Sequence, residues 1–146
     1  MKALTIQQPW AQLCVVGTKR FETRSWPTRH RGPLAVHAGA SLSMIGGKDM
    51  LRDCLVERSM PEDKFLSAGL ESMHWDLPRA AIVGTVVVAD CVPAASVRTT
   101  AQDRAVGDFD EGRWAWVLED PVLFDTPIPA TGRQGLWEWD ERSIGG

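Results

Sequence analysis

A chain of 146 residues, 44% hydrophobic and 24% charged with a net charge of −3, is long enough to bury one real core, so residues 1–146 are read as a single domain. The acidic balance excludes a wholly basic polyanion binder. Cys14, Cys54 and Cys91 are odd in number and widely spaced, which excludes a CxxC zinc site and a disulfide framework and suits a reducing compartment. The first apolar run is too short for a signal peptide, and no stretch reaches membrane-spanning length; a cytoplasmic protein with no membrane partner is expected.

In chain order, Ala3–Ile6 reads as an opening strand. Pro9 suits the first position of a helix and Gly17 its end, with Trp10, Leu13 and Cys14 at helical spacing. A second strand is expected over Phe21–Trp26, closed by Pro27. A basic turn, Thr28–Pro33, leads to a largely apolar strand over Leu34–His37. Leu51, Cys54 and Leu55 fall on one helical face within Lys48–Arg58, and Pro61 suits the start of a short helix ending near Gly69. Residues 69–79 have no clean period and read as a loop that can fold over a cleft. Ala80–Ala89 is β-branched and nearly continuous, hence a central strand. Pro93–Ala105 fits a helix or a long connection. Trp114–Glu119, Val122–Ile128 and Leu136–Trp139 complete the strands. Several short strands with helices of mixed placement predict an α+β fold, a small and mostly antiparallel β-barrel of five to seven strands with flanking helices.

The residues with the most chemistry sit early, in Gly17-Thr18-Lys19-Arg20-Phe21-Glu22-Thr23-Arg24-Ser25-Trp26. Alternation puts Arg20, Glu22, Arg24 and Trp26 on one face of the second strand, with neighbours on that face roughly 7 Å apart. Arg24, Arg29 and Arg31 are able to hold phosphate through charge-assisted hydrogen bonds, although a solvated turn accounts for them equally well. Glu22 repels a phosphate backbone. Its roles are to hold Lys19 or Arg24, to accept from a base edge, or to act as acid or base. With seven Trp and no Tyr, most indoles are expected to fill the barrel, while Trp10 and Trp26 bracket the basic stretch and are placed to stack a base. His37 ends an apolar strand, where a satisfied core role is the commoner outcome. His30 and His74 have no ligand spacing, so neither metal nor cofactor is expected.

The spacing Gly17-x-Lys19-x-x-Glu22-x-Arg24 resembles the GxKxxExR signature of ASCH domains, relatives of the PUA RNA-binding fold. Gln8-Pro9-Trp10, the Gly32–Ala38 segment with His37, and Trp114–Leu118 are similar to further family stretches. The resemblance implies a PUA-like barrel that binds RNA or a nucleotide, with DNA possible, in a basic cleft formed by Gln8, Trp10, Lys19, Glu22, Arg24, Trp26, Arg31 and His37. Some relatives resemble amidohydrolases acting on acylated cytidine or ribonucleases, which would make Lys19 base or nucleophile and Glu22 a proton relay. Glu22 stands where the amidohydrolase pattern has Thr, and an aliphatic near Val87 where it has a carboxylate. A coactivator-like protein-interaction module is the third reading.

Overall fold

Strand β4 (Ala81–Pro93) lies inside the sheet, as its nearly continuous β-branched run leads one to expect. The computed structural model describes residues 1–42 and 77–142; the two helices expected over Lys48–Gly69 and most of the 69–79 loop lie outside the described residues. Among the described residues six strands form one sheet in the order β2-β5-β4-β3-β1-β6, the others being β1 (Lys2–Gln8), β2 (Phe21–Arg24), β3 (Gly32–Leu42), β5 (Trp114–Pro129) and β6 (Leu136–Glu138). All neighbours are antiparallel except β1 and β3, which run parallel with Ala3 opposite Ala35. β2 and β6 end the sheet without pairing to each other. Yet Arg24, on β2, reaches the Thr5 carbonyl of β1 at 2.8 Å, which only a sheet curled on itself allows. The fold is an α+β, barrel-like open sheet.

Alternation along the strands sorts the core into two layers. Leu4, Ile6, Leu34, Val36, Ala38, Val86 and Val88 face one way and pack with Trp116 against helix α1 (Trp10–Val15). Ala3, Ala35 and Ile82 face the other way onto Trp137 and Trp139. Helix α1 starts one residue later than Pro9 at the first position implies; Pro9 is its N-cap residue, after a cis peptide. It stops at Gly17, whose φ of +90° a side chain would resist. The Gly17 N–H then donates to Cys14 O and the Lys19 N–H to Leu13 O, turning the chain back across the helix end.

The strands expected over Trp114–Glu119 and Val122–Ile128 are one 16-residue strand, bent at Asp120 where φ is +49°. Residues Pro93–Ala105 resolve into a 3-10 turn (Ala94–Ser96) and a five-residue helix α2 (Ala101–Ala105). Thr100 and Asp103 close a capping box on α2. β2 ends at Arg24, two residues before Trp26.

Candidate functional site

A cleft of about 480 Å³ opens where the start of α1, strand β2 and the 106–113 loop meet; Trp10, Lys19, Glu22, Arg24, Asp108 and Arg113 contribute side chains to it. The helix stop at Gly17 explains why Lys19 belongs to it: the reversal turns the lysine inward, leaving it 3% exposed. Its ammonium donates to the Val106 carbonyl and lies 5.9 Å from the centre of the Trp10 ring, within cation–π range. Gly107 lets the loop come this near, since a Cβ there would stand 3.4 Å from Lys19 Nζ and 2.9 Å from the Phe109 ring.

Thr23 ties the loop to β2. Its hydroxyl accepts from the Asp108 N–H at 3.3 Å and its carbonyl from Arg113 Nη2 at 2.9 Å. Its own N–H donates to Glu22 Oε1 at 3.0 Å. Arg113 Nε faces Asp108 Oδ2 at 3.5 Å without a hydrogen bond. Glu22 is 7% exposed, and its second oxygen, Oε2, is buried with no hydrogen-bond donor; Arg24 Nη2 approaches it only to 3.7 Å. Three cations thus face two carboxylates around a hollow with an aromatic wall, and one buried carboxylate oxygen lacks the donor that such groups normally find. Behind the cleft, burial pushes the Cys14 thiol up to about 12, with Glu22 adding to the rise against Lys19 and Arg24. That thiol is no nucleophile at neutral pH.

A second hollow, about 860 Å³, adjoins the first through Thr5 and Arg24. Trp26 lines it, its indole packed edge-on against Trp116 at 5.0 Å. So does His37, which is buried with both ring nitrogens engaged, Nδ1 with Thr5 Oγ1 at 3.0 Å and Nε2 with the Ala130 carbonyl at 2.7 Å. A carbonyl only accepts, so Nε2 carries a proton.

The ASCH domain family model matches residues 4–127, most of the chain. The chain belongs to the ASCH domain family. Human and mouse activating signal cointegrator 1 are 26% and 25% identical to this ASCH domain over 139 residues, 95% of its length. The chain spans 22% of the length of those relatives. The crystal structure of ASCH from Zymomonas mobilis superposes with a TM-score of 0.53 at 12% identity, covering 99% of this chain and 90% of that one. A point variant of the same protein gives the same score with 93% of its chain covered. These likenesses speak for the fold.

Of the residues singled out in this ASCH domain's sequence, Trp10, Lys19, Glu22 and Arg24 meet in the first cleft, and Trp26 and His37 line the second with Arg24. Gln8 lines neither. It is fully buried, its Nε2 donating to the Pro78 carbonyl and its Oε1 accepting from the Gln12 N–H, both at 2.9 Å, so it anchors the start of α1 to the chain before β4. Arg31 also lines neither: it is exposed and turned to the Thr28 and His30 carbonyls and to Asp90, 3.4 Å away. Arg20 lies before β2 and forms a two-pronged pair with Asp103 at 3.1 and 2.6 Å, so it does not share a face with Glu22 as strand alternation suggests. There burial pushes the Asp103 carboxyl up, but hydrogen bonds from Arg20 and Thr100 outweigh it and hold the group below its ordinary value.

Sequence reasoning missed Arg113, Asp108, Thr23 and Thr5. Arg113 stands directly before Trp114, and the antiparallel pairing of Trp114 with Arg24 is what brings it over β2; that pairing has no local signal. No cluster of metal-ligating side chains occurs among the described residues, and no helix among them is long and apolar enough to cross a membrane.

Proposed function

We propose that this ASCH domain binds a nucleotide of single-stranded RNA in the cleft beneath the 106–113 loop. The observation that carries the reading is Glu22 Oε2: a buried carboxylate oxygen without a donor, on a residue that lines a hollow with Arg24, Arg113 and Trp10. A phosphate alone would be repelled by it. A nucleobase answers it, because its amino or imino group supplies the missing N–H while the phosphates flanking it take one arginine each. Trp10 offers a stacking face worth about 1–3 kcal/mol. Lys19, committed to Val106 and Trp10, adds positive charge and fixes the wall. Arg31 has no part in this arrangement; Arg113 takes the phosphate-gripping role beside Arg24. RNA is favoured over duplex DNA because a small local basic site on an acidic domain suits an exposed, unstacked base better than a long charged groove.

The test is anisotropy with a labelled single-stranded RNA over a salt series. With two phosphates neutralised, log K should fall against log salt with a slope of about −1.4, and Arg24→Ala or Arg113→Ala should each remove about 0.7 of it. No association at low salt overturns the reading. Turnover of N4-acetylcytidine that is lost in Lys19→Ala replaces it with an amidohydrolase-like one.

A further inference from the structure

We propose that the second hollow is a subsite for the adjoining base, so that the domain reads a dinucleotide step with Arg24 at the phosphate between the two bases. This rests on the reading of the first cleft given above. The two hollows share Arg24 and Thr5. Arg24 Nη2 is anchored on the Thr5 carbonyl at 2.8 Å, which holds the guanidinium at the junction and leaves its other N–H groups available to a linking phosphate. Both volumes, 480 and 860 Å³, fall within the range of small-ligand sites.

The second hollow has the parts a base requires. The Trp26 ring is half-buried and held edge-on by Trp116, so it is a rigid stacking face. The floor is His37, which cannot turn without breaking bonds at both nitrogens; its Thr5 partner also accepts from Trp137 Nε1 at 3.2 Å. The wall is backbone. A Cβ at Gly132 would lie 2.6 Å from both His37 Cε1 and Thr5 Oγ1, so the backbone at Gly132 presses against the floor. On the rim stand exposed Arg133 and Gln134, whose side-chain polar groups make no hydrogen bond or ion pair among the described residues. Arg133 offers a fork, and Gln134 a donor and an acceptor, to the edge of the second base. An aromatic face, a fixed floor and two polar arms around one hollow supply what a nucleoside requires.

The experiment is calorimetric titration with nucleoside 5′-monophosphates, nucleoside 3′,5′-bisphosphates and 5′-phosphorylated dinucleotides. The bisphosphate carries the linking phosphate without the second base. The dinucleotide should bind at least about fivefold tighter than the bisphosphate, the lower end of one base–aromatic stack. Trp26→Ala should abolish that increment and Arg133→Gln should reduce it, both leaving mononucleotide affinity unchanged. Arg133 is exposed, so its variant serves even if Trp26→Ala fails to fold. Mononucleotide binding with no dinucleotide increment, or an increment indifferent to both variants, overturns the second subsite and leaves the first cleft standing. Absence of binding by any of these probes overturns both.

Discussion

Replacing Glu22 by Gln separates ligand binding from folding better than any other change to the cleft. In the free protein, Glu22 Oε1 accepts from the Thr23 N–H, and the carbonyl oxygen of Gln can keep that bond. Oε2 has no hydrogen bond to lose; it has only Arg24 at 3.7 Å, a pair whose arginine side chain is 27% exposed. The contact is not a hydrogen bond and its arginine is partly open to solvent, so its loss should cost about 1 kcal/mol or less, which for a chain of this size shifts Tm by no more than about 4 °C. Binding should respond more strongly. A base N–H donated to a carboxylate is worth about 1.5–3 kcal/mol, and the amide presents a donor where the base needs an acceptor. Affinity should therefore fall about tenfold to a hundredfold. Calorimetric titration and thermal unfolding on the same samples check the two numbers together. Wild-type affinity with an unchanged Tm would refute the role given to Oε2, and a Tm loss above about 10 °C would refute the claim that the free protein has little invested there.

Three further outcomes follow from the packing. Gly84→Ala places a Cβ 2.0 Å from the Val122 carbonyl and 2.9 Å from Val15; β4 and β5 must separate locally, at a cost of about 3 kcal/mol or more, read as a Tm lower by at least about 6 °C. Asp103 has a folded pKa below its unfolded value of about 3.9, so its contribution is complete above that pH and disappears as pH falls through the depressed value. Urea unfolding of Asp103→Asn should accordingly be weaker than wild type at neutral pH by about 1 kcal/mol and should converge on wild type in acid. Cys14, buried with its thiol at about 12, should resist iodoacetamide at pH 8 and react once denaturant unfolds the chain, as peptide mass spectrometry would record.

Local chemistry carried much of the reading. Gly17 ended a helix because its conformation disfavours a side chain, and the β-branched run Ile82–Val88 took the centre of the sheet because it is apolar on both faces. Lys19, Glu22 and Arg24 share a cleft because a helix stop and a short strand place them from within eight residues. Other features depended on partners far away in sequence. Arg20 left the expected face because Asp103, on a helix too short to announce itself, offered a two-pronged carboxylate. Arg113 entered the cleft through strand pairing, whereas Arg31 stays outside it, turned to the Thr28 and His30 carbonyls and to Asp90. Gln8 reads as a polar surface candidate by type, but the Pro78 carbonyl and the Gln12 N–H bury it.

The strand order has a consequence for how this molecule comes into being. Ala3 is flanked by Ala35 on one side and Trp137 on the other, and among the described residues β2 pairs only with Trp114–Val117. Such distant pairings make for slow folding, on the millisecond-to-second scale of high-contact-order domains. A growing chain therefore holds its Lys19–Arg24 stretch without this strand partner until the Trp114 segment has been synthesised.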